Sequence, residues 1–506
     1  MRRILGFGWL LVLLFGGAGG QGMASNGGGG RAELILRQAQ DDGCWGAEEV
    51  YVSQRPAVGA RKFQSEAVER LITEVKAGIK DPELAWIFEN CYPNTLDTTV
   101  DFGSRNGKPD TFIITGDIDA MWLRDSSAQV QGYLPLCPQD AHLSEMIAGL
   151  IHRQAACILL DPYANAFYKD GTKISPFKND HTLMKPGVHE RKWELDSLCY
   201  CLRLDYQYWK ITGDASVFDD EWKRAMHRAV ETMIEQQRKT GRGSYSFMRA
   251  TKRKVDTLAN DGYGAPFKPT GMICSAFRNS DDAATYLFNI PENLFAVVSL
   301  RQLAEMLDGI KDTSGLAGTC RSLADEVERA VRANGIIADP HGGGKLYVYE
   351  CDGLGHYLLI DDAGIPSLTS IPYLGYGTVD DPIYQASRRF AQSPANPFLY
   401  RGTVAEGTGS PHVPGPNIWP MGIIGRALTS TSDPEIRSCL EMLERSQAGT
   451  GFMHESFNRD NAKIFTRKWF AWVNNLLGDL ILKLYREEPG MLGSFDPAKS
   501  GRGAGE

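Results

Sequence analysis

The chain has 506 residues, 42% of them apolar and 23% charged, which is ample for a buried core and excludes disorder over most of its length. Its net charge of −8, without any run of five or more Lys/Arg, lacks the basic footprint that a phosphate backbone requires, so no nucleic-acid partner is expected. The acidic balance favours a neutral substrate over a uronate or a phosphorylated one.

The chain opens MRRILGFGWLLVLLFGG, two arginines before a short apolar run. A spanning helix needs about 20 apolar residues, and the run is shorter. It reads as a secretory signal over 1–24. Export to a periplasm or the medium follows, with no membrane span after cleavage. The Gly-rich stretch 25–42 is expected to be a flexible mature N-terminus, 43–487 the folded domain and 488–506 a disordered tail. Phe63, Val68, Leu71, Ile72, Val75 and Ile79 mark the first helical stripe. Similar spacing predicts helices near 138–158, 191–211, 216–238, 292–309, 318–333, 382–392, 418–429, 434–446 and 468–486. Strand-like alternation is sparse. Long connectors rich in Gly, Pro, Asp and aromatics, such as 251–275, 353–377 and 394–417, separate the helices, and connectors of that length usually serve a function. The pattern predicts an all-α toroid of paired helices with one functional rim. Ten cysteines lie between Cys44 and Cys439 without a CxxC pair, which disfavours a zinc site.

The unusual polar and aromatic residues concentrate in those connectors. GDIDAMWLRDSSAQ places Asp117, Asp119, Trp122, Arg124 and Asp125 within nine residues. Asp125 alone reads as a helix cap or a partner of Arg124, but a cap does not need a Trp, an Arg and three carboxylates. KWELDS adds Trp193, Glu194 and Asp196. Arg278, Asp281 and Asp282 follow a Gly/Pro-rich approach, where Ser280 and two acids also suit a helix start. Further on come His356, Asp361, Asp362, His412 and Trp419, then His454-Glu455 ahead of Arg467, Trp469, Phe470 and Trp472. HESF is not the zinc-protease pattern HExxH, and GxSxG and P-loop patterns are absent. Carboxylates in an aromatic setting are the chemistry that recurs. Aromatic faces and charged planar groups suit a sugar ring and its hydroxyls, and two carboxylates suffice to hydrolyse a glycosidic bond. A noncatalytic glycan-binding protein is the reading from another class.

The strings GDIDAMWLRDSSAQ, RKWELDSLCY, PTGMICSAFRNSDDA, PENLFAVV, LLIDDAGIPSL, PYLGY, GSPHVPGPNIWP, FMHESF and RKWFAWVNNLLGDLI occur in this order. Together they resemble glycoside hydrolase family 125 from about residue 60 to 486. The resemblance implies an (α/α)6 toroid and an exo-acting, inverting α-1,6-mannosidase without cofactor or metal, taking a mannose-containing glycan, with an α-mannosidase of another linkage as the alternative. By motif, Glu455 is similar to the family's general base. The general acid falls in SDDA as Asp281 or Asp282, with Asp282 preferred. Asp117, Asp119, Trp122, Arg124, Asp125, Trp193, Glu194, Arg278, His412 and Trp419 are the expected substrate-binding residues. Asn279 departs from the Pro expected before Ser280.

Overall fold

The structure is a computed structural model that describes residues 51–497. The expected signal peptide and the flexible stretch 25–42 lie outside the described residues. Fourteen α-helices are described: α1 Glu66–Gly78, α2 Pro82–Cys91, α3 Asn94–Thr98, α4 Leu123–Ala128, α5 Ala141–Leu160, α6 Leu195–Thr212 and α7 Asp220–Gln236, then α8 Ile290–Gly309, α9 Leu316–Asn334, α10 Pro382–Ala391, α11 Pro420–Leu428, α12 Asp433–Ser446, α13 Ala471–Glu487 and α14 Pro489–Ser494.

The helices sort into two kinds. In α7, Trp222, Ala225, Met226, Ala229, Val230 and Met233 are buried at helical spacing while Lys223, Arg224 and Arg228 lie on the other face. By contrast α6, α8 and α13 are buried nearly all round. α6 packs on α4 and α8, α13 on α2, α4 and α11, while α9 covers α8, α7 covers α5 and α12 covers α11. Buried helices thus form an inner layer and amphipathic helices an outer one. α5 is long and apolar enough to cross a membrane, yet Leu143, Met146, Ile147, Leu150, Ile151 and Ile158 are buried within the domain.

The chain is not all-α. Six small sheets of two or three strands lie in the connectors. Their strands span two to six residues, too short for most of them to show alternation. Several brace the entry to an inner helix. Met121–Trp122 pairs with Ala166–Phe167 and runs into α4. Phe288–Asn289 pairs with Glu350–Cys351 and runs into α8. Asn417–Ile418 leads toward α11 and pairs with Ser456–Asn458, which pairs in turn with Asn461–Thr466. The expected tail also begins too early, because α14 follows α13 and Met491, Leu492 and Phe495 are buried.

A seam joins the last inner helix to the start of the described chain. Asn474 Nδ2 donates to Asn94 Oδ1 (3.0 Å), and Asn474 Oδ1 accepts from the Met453 amide (2.8 Å). The Gly132 amide donates to Asn475 Oδ1 (3.2 Å), and Gly478 lies so close to Tyr92 that a Cβ there would meet its ring.

Candidate active site

The N-terminal ends of α4, α6, α11 and α13 gather at one rim. Outer helices such as α1 and α7 begin with Ser65 and Asp219, whose side chains accept from the helix amides. The cap positions of these four helices are Trp122, Glu194, Trp419 and Phe470, none of which makes a side-chain cap bond. Trp122, Trp419 and Phe470 instead line a cavity with about 490 Å³ of empty space. Trp472, Arg124, Asp125, His412, Asp281, Glu455 and Arg467 complete most of its wall, with Asn279, Ser280 and Gly364 beside Asp281.

Arg124, buried at 3% exposure, is the electrostatic centre. Its Nη1 donates to Glu194 Oε2 (2.6 Å) and Nη2 to Asp281 Oδ1 (3.2 Å), and Asp125 and Asp196 each approach to 3.6 Å. Its guanidinium lies 5.8 Å from the Trp472 ring centroid. Burial pushes Glu194 well above the ordinary carboxyl range against the pull of Arg124, and Asp281 adds to the rise. Asp196 is pushed up to about 6, again chiefly by burial. Burial also acts to raise Asp281, but Arg124, the hydrogen bond with Glu194, Lys192 and His412 outweigh it and hold that carboxyl well below its usual value.

Asp281 and Asp282 part company at a tight turn. The Asp281 amide donates to the Arg278 carbonyl (2.9 Å) and the Arg278 amide to the Asp282 carbonyl (2.8 Å). Asp281 sits in the left-handed region (φ 63°), with Lys192 Nζ on its carbonyl at 2.7 Å. The Asp281 side chain, 26% exposed, reaches the cavity. Asp282 is fully buried and its Oδ1 accepts from His412 Nδ1 at 2.9 Å. That bond raises His412 despite its burial. The motif alone favoured Asp282; the turn gives the position facing the cavity to Asp281. Asn279, the departure from the expected Pro, ties this turn to the facing loop by donating from Nδ2 to the Pro366 carbonyl (2.5 Å).

Across the site, Glu455 is 14% exposed and Arg467 Nη1 stands 3.6 Å from its Oε1. Arg467 also donates to the Thr115 carbonyl (2.8 Å) and pairs with Asp117. His454 takes no part, since its Nδ1 lies 3.1 Å from the Arg467 carbonyl and its ring stacks on Phe465.

Five residues expected to bind substrate lie elsewhere. Trp193 is buried and donates its indole N–H to the Cys274 carbonyl (2.7 Å), which fixes it in the core. Arg278 forms a buried ion pair with Glu350 at 2.5 Å, and Glu350 accepts in addition from the Thr285 and Tyr286 amides, so the pair anchors the loop that carries the aspartates. Asp119 is largely exposed and pairs with Lys173, and Asp117 stands behind Arg467. Glu194 is fully buried behind Arg124 rather than on the wall. Asp361 serves its own loop, accepting from Leu368 and Thr369. Residues missed from the sequence include Thr115, Asn165 and Lys192. Thr115 bonds Asp125, Asn165 bonds both Glu194 and Asp281, and Lys192 holds the turn. A Lys directly before the WELD string was the one available signal.

Three comparisons bear on this arrangement. The profile described as metal-independent alpha-mannosidase (GH125) matches residues 81–482. The chain is 41% identical over 457 residues to the meiotically up-regulated gene 157 protein of Schizosaccharomyces pombe, covering 87% of this chain and 89% of that one. Among solved structures it is similar to a metal-independent alpha mannosidase from Streptococcus pneumoniae, described as a non-productive substrate complex with alpha-1,6-mannobiose. The TM-score is 0.81 and the identity 40%, over 84% of this chain and 100% of that chain. A bacterial glucoamylase complexed with acarbose shares the fold at TM-score 0.51 and 12% identity, over 83% of this chain and 56% of the other.

Proposed function

The chain belongs to glycoside hydrolase family 125, the metal-independent α-mannosidases, and from that membership we propose that it is an exo-acting α-1,6-mannosidase that inverts the anomeric carbon. The observation that carries the reading is one cavity in which two carboxyl groups from distant segments, Asp281 and Glu455, share the wall with Trp122, Trp419, Phe470 and Trp472. The α-1,6-mannobiose bound by the Streptococcus pneumoniae relative supports the linkage. Two helix layers and the likeness to glucoamylase support an (α/α)6 toroid.

In this mechanism Asp281 gives a proton to the glycosidic oxygen as the C1–O bond breaks, and Glu455 takes a proton from the water that forms the new C1–O bond. Arg467 Nη1, 3.6 Å from Glu455 Oε1, helps to orient that carboxyl group at the wall. Inversion calls for carboxyl groups about 6.5–9.5 Å apart, leaving room for that water. Trp122 Nε1, Trp419 Nε1 and Ser280 Oγ are buried on the wall without a partner among the described residues, and the hydroxyls of a sugar supply the oxygens such groups lack. The reading includes export, with the signal at 1–24 removed; N-terminal sequencing of the exported protein should begin after the signal, and retention of Met1 would refute it.

The test is digestion of α-1,2-, α-1,3- and α-1,6-mannobiose followed by NMR from the first minutes. The α-1,6 disaccharide should be cut fastest and yield β-mannose first. Faster cleavage of another linkage would reassign the substrate, and initial α-mannose would reassign the mechanism.

A further inference from the structure

Glu194 stands directly behind Asp281. It is fully buried before α6, where Oε2 accepts from Arg124 Nη1 (2.6 Å) and Ser197 Oγ (3.0 Å) and Oε1 from Asn165 Nδ2 (3.2 Å). The same two donors reach Asp281, with Arg124 Nη2 and Asn165 Nδ2 both 3.2 Å from its Oδ1. Donors shared in this way hold the two carboxyl groups side by side, an arrangement that favours a proton on one of them which the other can accept.

The surroundings demand the same. Glu194, Asp281, Asp125 and Asp196 all face the single guanidinium of Arg124. Lys192 serves the Asp281 carbonyl and Glu190, and His412 is bonded to Asp282. Full ionisation would bury several uncompensated negative charges, which is far costlier than retaining a proton.

We propose that Glu194 and Asp281 hold one proton in common, and that Glu194 is the positioning residue that keeps this proton and passes it to Asp281 for donation to the leaving oxygen. This inference rests on Asp281 being the general acid. Before substrate binds, the proton resides on Glu194, the deeper partner. As the glycosidic oxygen reaches Asp281, the proton crosses to Asp281 and Glu194 is left as a carboxylate held by Arg124, Ser197 and Asn165. Asp281 then protonates the oxygen of the breaking C1–O bond, and the water proton goes to Glu455. The pair, doubly ionised at that moment, recovers one proton from solvent as Glu455 releases its own, so the cycle balances. Paired carboxyl groups of this kind titrate as a unit.

The experiment compares pH profiles of kcat/KM for wild type and Glu194→Gln on α-1,6-mannobiose and on an α-mannoside with a dinitrophenolate leaving group. Glu194→Gln keeps the hydrogen-bonding shape but cannot carry the proton. Its descending limb should move down by at least about one pH unit, with kcat on mannobiose falling on the order of tenfold or more, part of the 10²–10⁴ that acid–base assistance supplies. KM should hold within about threefold, and the loss should largely disappear on the activated substrate. An unshifted limb with equal loss on both substrates overturns the inference. Should Glu194→Gln fail to fold, wild type alone decides. Its descending limb is expected near or above neutrality, and a limb at the ordinary carboxyl position, about 4, overturns it. Asp281→Asn separates the two readings. If it shows no selective recovery on the activated substrate, the assignment of the acid fails; if it recovers while Glu194→Gln keeps the wild-type limb, only the shared proton fails.

Discussion

Asp281 and Asp282 are adjacent in sequence, yet one reaches the cavity and the other is sealed under His412, because the backbone turns left-handed between them. A left-handed non-glycine residue costs on the order of 1–3 kcal/mol and persists when its surroundings over-determine it. Here Lys192, Arg278 and Asn279 supply that constraint. Asp281→Asn should therefore lose roughly 10²–10⁴ in kcat on α-1,6-mannobiose and recover much of it on an activated mannoside. Asp282→Asn should show no selective recovery and should raise KM through His412, while Glu455→Gln should be slow on every substrate. Rates on the two substrates, measured side by side, check all three. His412 also predicts a stability signature. Its folded value is raised by Asp282, so its contribution is fully present below the unfolded value of about 6.5 and is lost as pH rises through the folded value. The melting temperature of Asp282→Asn should fall furthest below wild type at acidic pH, with the gap narrowing under alkaline conditions; a gap independent of pH would refute this. The sequence brought both aspartates, Arg124, His412, Trp419 and Glu455 to notice, since clustered charge and aromatics are visible in a string. It could not tell Trp193 or Arg278 from wall residues, because the direction of a side chain is decided by turns and distant partners such as Cys274 and Glu350.

At the level of elements, the helices that reach the site give up their caps. The outer helices α1 and α7 begin with a capping Ser65 and Asp219, while α4, α11 and α13 spend that position on an aromatic residue of the cavity and α6 on Glu194. Local rules broken at one rim are the mark of a functional surface. Connectors braced on one another replace the lost caps. Gly364 lies so close to Asn279 that a Cβ would collide with its amide, so Gly364→Ala should displace the turn carrying Asp281. Expected are a stability loss of about 1–3 kcal/mol by thermal melting and a fall in kcat larger than any change in KM. Glu350→Gln should cost about 3–5 kcal/mol by leaving Arg278 buried without its counter-charge. The long helices were legible because their apolar spacing repeats over four or five turns. α2 was not, since Leu84, Ala85, Trp86, Ile87 and Phe88 are consecutive buried residues without a polar face. Two-residue strands such as Met121–Trp122 carry no period at all.

Across the whole molecule, the starts of α4, α6, α11 and α13 meet at one rim, so the positive ends of these four helices converge where the carboxyl groups lie. An exo mode of action requires that this rim form a blind pocket. Digestion of a longer α-1,6-mannan should then release mannose from the first minutes without internal fragments, as chromatography of early time points would show. The seam gives this architecture a consequence in time. Arg467 meets Thr115 across 352 residues, and Asn474 meets Asn94 across 380. At about 5–20 residues per second, the earlier half of the site waits roughly 18–70 s for the later half to be synthesised. No nascent fragment ending before α13 has both carboxyl groups in a cavity completed by Trp472, so activity should arrive in a single late step, together with resistance to proteolysis. Until that step the inner faces of α2 and α4 remain open to aggregation, and the rate at which α13 docks sets how long the newborn enzyme depends on chaperones.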